Sequence, residues 1–485
     1  MVKLNFLLFR NMKKLVMVSM LGLGFFGMQA QGNNWVDLFN GKDLSGWKQL
    51  NGHAKFTVVN GEIVGETVAN TPNSFLTTEK SYGDFVLELD LLVDSDMNSG
   101  IQIRSESTPD YMDGRVHGYQ CEVDPSPRAW SGGIYDEARR GWLYPLDMNP
   151  KGRAAFRNEQ WNHYRIEAIG NSIRTWVNGI PCADLVDDMT HEGFIALQVH
   201  AVSDPSHVGK QIRWKNIRIQ TVDLVQSPWT MVPVVNLIPN NLSPEERAQG
   251  WQLLFDGKTT NGWRGAGKVG FPAKGWKVEN GELIVEEGNG GQSQNGGDIV
   301  TEGEYSTFEV QLDFKITEGA NSGIKYFITE KYGSKESAIG LEYQVLDDER
   351  HPDAKLGTDG NRTVSSLYDL IPANKNKIVN KPGEWNHARI VVSGTRHEEW
   401  LKGNNLETID FVGAHVEHWL NHRKVLQYER GTQAFYALVA RSKYAHWDGF
   451  GSWQSGHILL QDHGNEVHFK SIKIRRLDPN QNLKN

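Results

Sequence analysis

The sequence predicts an all-β protein built from two tandem antiparallel sandwiches, and three observations carry that reading. The first is a repeated pattern. Trp35-Val36-Asp37-Leu38-Phe39-Asn40-Gly41-Lys42, closing on Gly46-Trp47, returns as Trp251-Gln252-Leu253-Leu254-Phe255-Asp256-Gly257-Lys258, closing on Gly262-Trp263. Asn60-Gly61-Glu62 returns as Asn280-Gly281-Glu282, Asn98-Ser99-Gly100-Ile101 as Asn321-Ser322-Gly323-Ile324, and Trp161-Asn162-His163 as Trp385-Asn386-His387. The spacing drifts from 216 to 224 positions while the order holds, which is what duplication followed by loop insertions and deletions produces. The unit is far longer than a solenoid repeat, so each copy reads as a complete domain.

The second observation is period-two alternation. Phe85, Leu87, Leu89 and Leu91 are expected to face a core, with Val86, Glu88 and Asp90 on the other side; Phe308, Val310, Leu312, Phe314 and Ile316 repeat the pattern. The third is turn chemistry. The chain has 50 Gly, almost no helical periodicity, and Asn178-Gly179 after Thr175-Trp176-Val177, a tight-hairpin signal because both turn positions favour positive φ. Short strands with frequent turns point to a sandwich in each copy.

At 485 residues there is room for two or three domains, each with its own core. The expected division is 1–30 as a signal peptide, 31–220 and 251–477 as the sandwiches, 221–250 as a linker and 478–485 as a tail. Lys13-Lys14, the apolar run Leu15 to Phe26 and Met28-Gln29-Ala30 form the export signal. That run is too short to span a membrane, and the mature protein is expected in the periplasm or outside the cell. The linker carries Pro228, Pro233 and Pro239. It then starts a short helix, with Ser243 as N-cap, Pro244 in the first turn and Glu246 closing a capping box. Cys121 and Cys182 form either one disulfide or two buried thiols.

A net charge of −8 argues against a nucleic-acid-binding surface. Sixteen Trp suit either a carbohydrate-binding sandwich or aromatic cores. No phosphate-binding Gly-rich loop, zinc-type Cys/His spacing, His-Glu-x-x-His or Gly-x-Ser-x-Gly elbow occurs. Asp94-Ser95-Asp96-Met97-Asn98-Ser99-Gly100 resembles the start of a calcium loop but lacks its closing Glu, so a plain turn is the better reading.

Three segments carry candidate chemistry. On a strand, Gln120, Glu122 and Asp124 project to one face, as do Glu342 and Gln344. Tyr135, Arg139 and Trp142 follow the first set, and Asp347 and Tyr368 the second. Gly456 to Gly464 pairs with Gly193 to His200, setting Gln461, Asp462 and His463 against Gln198 and His200. Rows of acids and amides suit sugar hydroxyls, and a carboxylate among them can act as a general base. The second copy also holds an insertion. Trp176 to His200 spans 24 positions, whereas Trp400 to His463, taken as its counterpart, spans 63, with Trp419, Tyr444, His446, Trp447 and Trp453 in the extra stretch.

At these residues the chain resembles the bacterial 3-keto-disaccharide hydrolase domain family. The second copy carries the closer likeness, in Leu253-Leu254-Phe255-Asp256-Gly257, Tyr343-Gln344-Val345-Leu346-Asp347, His351-Pro352-Asp353-Ala354, Leu367-Tyr368-Asp369-Leu370-Ile371-Pro372 and Leu460-Gln461-Asp462-His463-Gly464. The resemblance implies a concanavalin A-like jelly roll with its ligand on the concave sheet, and an oligosaccharide or glycoside substrate. A ketone at C3 of a sugar acidifies the C2 hydrogen. A base can then remove that proton, the glycosidic oxygen can leave from C1, and water can add to the alkene. No oxocarbenium-like transition state is needed, unlike in glycosidases built on paired acids.

The chemistry calls for a base, an acid and donors for the enediolate. Glu342 or Asp347 with His463 are the expected set in the second copy, with Glu122 or Asp124 and His200 as counterparts. Gln344, Tyr368, Gln461, Asp462, Gln120, Tyr135 and Trp142 are expected to contact substrate, and Arg104 or Arg139 to stabilise charge. No cofactor is required, although a divalent cation could replace the arginines. The competing reading is a non-catalytic lectin, which needs aromatic platforms and amides but no acid/base pair. The first copy departs from the closer pattern, lacking the His-Pro-Asp stretch, the Asp of Gln-Asp-His-Gly and the insertion. Sequence leaves open the aglycone, the linkage, the active copy and the oligomeric state.

Overall fold

The computed structural model describes residues 34–94, 96–288, 295–332, 335–402 and 405–479. The export signal predicted at 1–30 lies outside them. Among the described residues no helix is long and apolar enough to cross a membrane.

Four sheets, antiparallel except for one edge strand, make two sandwiches within the compact unit Trp35–Asn485. In the first, a nine-stranded sheet centred on Phe85–Val93 packs against a seven-stranded sheet containing Ser99–Glu106, His117–Val123, Ile134–Glu137, Gly141–Tyr144 and Phe194–Val199. In the second, an eight-stranded sheet centred on Phe308–Ile316 faces a five-stranded sheet containing Asn321–Tyr332, Lys335–Leu346 and His457–Leu460. The alternation places the cores. Phe85, Leu87, Leu89 and Leu91 are fully buried against Ile101, Cys121 and Val123, while Phe308, Val310, Leu312 and Phe314 pack with Ile324, Tyr343 and Val345. The fold is therefore all-β, a tandem pair of jelly-roll sandwiches of the concanavalin A type.

The polar faces of the central strands are also buried, which alternation alone does not anticipate. Glu88 lies between Arg165 at 2.6 Å and Arg218 at 2.5 Å. Glu309 lies between Arg389 at 2.6 Å and Arg475 at 2.5 Å. Arg389 stacks on Trp419, which, with Val391, joins the first sandwich's core cluster. The two sandwiches thus share an interface, where Val391 and Trp419 of the second pack on the first and Arg423 pairs with Asp147 at 3.0 Å.

The linker adds to this contact. Val234–Asn236 pairs in parallel with Ile180–Val186 as an extra edge strand. In helix Pro244–Ala248 the Ser243 side chain accepts from the Glu246 backbone and the Glu246 side chain accepts from the Ser243 backbone. Glu246 also pairs with Lys473 of the second sandwich, both buried, and Glu245 pairs with Arg174 of the first at 2.7 Å. Asn178 and Gly179 have φ of 51° and 77°, the left-handed pair a tight hairpin requires. Cys121 and Cys182 are both free and buried, and burial pushes both thiols up, Cys182 to about 12.

Ladder register corrects the placement of the insertion. Tyr164 pairs with Val177 in the first copy and Ala388 with Leu420 in the second. Trp176-Val177-Asn178 therefore corresponds to Trp419-Leu420-Asn421, not to the stretch at Trp400. Part of the extra length extends the hairpin of Asn386–Lys402 and Asn405–Leu420. The rest forms helix Gln433–Val439 and the 3-10 turn Lys443–His446.

Candidate active site

Each sandwich holds a cavity on the face of its smaller sheet that looks away from the core. The second-copy cavity has a volume of about 670 Å³, and Glu342, Gln344, Tyr368, Gln461 and His463 all line it. Strand alternation is the reason: Tyr343 and Val345 point into the core, so Glu342 and Gln344 point out. The first-copy cavity is smaller, about 310 Å³, and Gln120, Glu122, Tyr135, Trp142, Gln198 and His200 line it.

Glu342 is only 5% exposed, and its Oε2 lies 3.6 Å from Lys325 Nζ on the neighbouring strand. Lys443, from the insertion, lies 4.0 Å from the centroid of the Tyr368 ring and 5.1 Å from that of Tyr444. Burial lowers the Lys443 pKa, opposed by Glu342 and reinforced by Lys325. The Tyr368 hydroxyl donates to Asp353 at 2.6 Å, and burial together with that carboxylate raises its pKa. Arg362 pairs with Asp353 at 2.8 Å and with Asp369 at 2.7 Å, fixing the loop that carries Tyr368. The His351 ring is edge-on to His463 at 6.1 Å; burial, then His463, depresses its pKa. Trp447, Asn321, Asp298 and Lys268 complete the polar and aromatic wall.

The ladders fix which residues correspond, and they correct the expected pairing of acids. Ser99 pairs with Val123 and Gln102 with Gln120; Ser322 pairs with Val345 and Lys325 with Glu342. The counterpart of Glu342 is therefore Gln120, and the counterpart of Glu122 is Gln344. The glycine of each Asn-Ser-Gly-Ile motif confirms this. A Cβ on Gly323 would come within 2.5 Å of Glu342 Oε1, and one on Gly100 within 2.2 Å of Gln120 Cδ. Glycine is required in both copies because that side chain lies across its backbone.

Five expected site residues lie outside both cavities. Asp347 accepts from the backbone of Gly319, Glu349 and Arg350, and Asp124 from Ser126, Trp130 and the Arg128 side chain; both are loop caps just past the strand. Asp462 accepts from the backbone of Gly296, Gly297 and Gly464. Arg104 is fully buried and donates to the carbonyls of Gly83 and Gly170 and to Asp84. Arg139 binds Asp136 and Thr190 over the Tyr119 ring. The cationic groups at the cavities are instead Lys268, Lys325 and Lys443, and in the first copy Arg115 and Arg128. Lys325 was legible as the cross-strand neighbour of Glu342, but only once the register was known. Among the described residues no group of three or more His, Cys, Asp and Glu is arranged to hold a metal ion.

In the first cavity, Asn98 donates to Glu122 at 2.7 Å and Gln120 donates to it at 2.9 Å; Gln102 donates to Gln120 at 2.6 Å, and Ser105 to Gln102 at 2.7 Å. Burial pushes Glu122 up to about 7, against the pull of Asn98, Gln120 and Arg128. Burial also raises Glu137, which Arg115 and Asn73 counter.

The chain is similar to known proteins over each of its two halves. A Bacteroides thetaiotaomicron protein named 3-keto-disaccharide hydrolase is 36% identical over 253 residues, 48% of this chain and 80% of that protein. A provisionally assigned glycosyl hydrolase of Parabacteroides distasonis, solved at 1.70 Å, is 30% identical, covering 50% of this chain and all of that one with a TM-score of 0.40. A second from the same organism is 26% identical over 47% of this chain, with a TM-score of 0.31. The 3-keto-alpha-glucoside-1,2-lyase-like domain matches residues 34–220 and again 250–475, so the chain belongs to that carbohydrate-active family, twice over.

Proposed function

We propose that the second-copy cavity cleaves the glycosidic bond of 3-keto-glycosides by elimination followed by water addition. One observation carries this. A buried carboxylate, Glu342, stands beside one ammonium on its own sheet and a second supplied by the insertion, all in one cavity. Glu342 takes the C2 proton, and the C2–H electron pair moves into an enediolate with the C3 oxygen. Lys325 and Lys443 face that developing charge, where fixed positive groups in a desolvated site act most strongly. The C1–O bond then breaks, and His463 gives a proton to the leaving oxygen. Water adds across the C1–C2 double bond, returning a proton to C2 and a hydroxyl to C1, so the sum is hydrolysis. Tyr368, Tyr444 and Trp447 form the apolar wall for the ring. The name of the Bacteroides relative supports the substrate class. The basic-then-apolar stretch at 13–26 supports action outside the cytoplasm.

The test is incubation with a 3-keto-disaccharide and its unoxidised parent, for the wild type and Glu342→Gln. Release of free sugar from the ketone alone, lost in Glu342→Gln, is expected. Equal cleavage of both substrates rejects the ketone-dependent route. Cleavage of neither leaves the second cavity as a lectin site.

A further inference from the structure

The first cavity differs from the second in the pair that would do this chemistry. Where the second copy has the ion pair Lys325–Glu342, the first has Gln102 and Gln120 at the same ladder positions, hydrogen-bonded to each other at 2.6 Å. Lys443, Tyr444 and Trp447 come from an insertion the first copy lacks. The first cavity therefore has no carboxylate where Glu342 stands and no ammonium to face an enediolate. It is still a built site. Gln198 is 1% exposed, lines the cavity, and its Oε1 accepts no hydrogen bond. Its counterpart Gln461 shows the same buried unpartnered oxygen in the second cavity. A buried amide at the same position therefore lines both cavities.

The remaining lining specifies that ligand. Each guanidinium has its carboxylate: Arg115 lies 3.7 Å from Glu137, and Arg128 lies 2.7 Å from Asp124 and 3.7 Å from Glu122. No surplus positive charge remains to select an anion. His200 Nδ1 is 2.7 Å from the Ala201 carbonyl and donates there, which leaves Nε2 for another partner. Carboxylates of Glu122 and Glu137 and the amide of Gln198 line the cavity together with donors on Asn73, Asn98, Arg115 and Arg128, a mixture that suits hydroxyls that each donate and accept. Tyr135 and Trp142, edge to face at 5.2 Å, provide an apolar wall. A volume of about 310 Å³ is at the small end of ligand sites.

We infer that the first cavity is a second carbohydrate site that binds one neutral, unoxidised pyranose ring without deprotonating it. It holds sugar on the copy that packs against the catalytic one. That the neighbouring copy is catalytic rests on the function proposed above; sugar binding in the first cavity does not.

The experiment is titration of the full-length Glu342→Gln protein with neutral hexoses and, separately, hexuronic acids, followed by calorimetry and Trp fluorescence. Saturable binding of a neutral hexose is expected, weakened about tenfold or more by Gln198→Leu and by Trp142→Ala. Gln198→Leu removes the buried amide of the cavity wall, while Trp142→Ala changes a partly exposed wall and guards against a folding failure. Three results overturn the proposal: no binding across the hexoses, binding unaffected by both variants, or a preference for the uronic acids. A fourth is ketone-sugar cleavage lost in Glu122→Gln but kept in Glu342→Gln, which puts the deprotonation in the first copy. Failure of cleavage with hexose binding intact rejects the function of the second copy alone.

Discussion

Replacing Glu122 with Gln is expected to stabilise the protein at pH 8 and to destabilise it slightly, by about 1 kcal/mol, at pH 4. The carboxyl is 3% exposed, and burial outweighs the Asn98 and Gln120 amides and Arg128, raising it from 4.5 to about 7. Because the folded value is the higher one, the folded state keeps a proton that the unfolded chain has released. The stability this provides is complete below about pH 4.5, falls as pH rises, and is gone above about pH 7. The interval of about 2.5 units corresponds to roughly 3 kcal/mol at about 1.4 kcal/mol per unit.

Gln imitates the neutral acid and removes that loss. Against it stands the hydrogen-bond chain, because one of the donors from Asn98 and Gln120 now meets an amide NH₂. Reversing Gln120, Gln102 and the Ser105 hydroxyl relieves the clash at a cost of about 1 kcal/mol. The net gain at pH 8 is about 2 kcal/mol. Urea unfolding followed by Trp fluorescence at pH 4, 6 and 8 reads it directly. Equal destabilisation of the variant at all three pH values would show that Glu122 is ionised in the fold and held by Arg128, refuting the reasoning.

Three further outcomes follow from the same structure. Lys443→Met is expected to lower kcat on a 3-keto-disaccharide by about 10²–10³ with little change in KM; a pure KM effect in steady-state kinetics would make the lysine a binding group. Glu246→Ala leaves Lys473 buried without a partner and is expected to cost about 3–5 kcal/mol, against about 1 for Ser243→Ala, with thermal melts giving the order. At Glu309, burial alone would raise the pKa, but Arg389 and Arg475 hold it down to about 2. Its contribution, roughly 3 kcal/mol, is therefore present above about pH 4.5 and lost as pH falls toward 2. Glu309→Gln should abolish that part of the acid sensitivity in denaturant titrations at pH 7 and pH 3.

Local chemistry was legible where a residue's environment follows from its own strand. Period-two alternation places Glu342, Gln344, Gln120 and Glu122 opposite the core, and in the fold those four line the cavities together with His200 and His463. It failed one residue beyond the strand. Asp124 continues the alternation on paper and Asp347 follows its strand's last residue, but there the chain turns and each carboxylate caps backbone amides. Arg104 and Arg139 misled for another reason. A guanidinium near a candidate site in sequence reaches several ångströms, and packing sent both to carbonyls and carboxylates elsewhere. Asp462 sits between two cavity residues, yet alternation turns it to the backbone of Gly296 and Gly297.

Sequence alone determined the all-β class, the duplication, the capped linker helix and the polar strand faces, because periodicity, turn residues and caps act over a few neighbouring positions. Only the tertiary structure decided which residues correspond across the copies. A strand's partner is chosen by pairing hundreds of positions away, and a shift of two along the ladder exchanges Glu122 for Gln120 as the counterpart of Glu342. The fold also decided that Lys443 of the insertion shares a cavity with Glu342, and that Val391 and Trp419 of the second sandwich pack on the first. Those contacts depend on long-range packing, to which no local pattern responds.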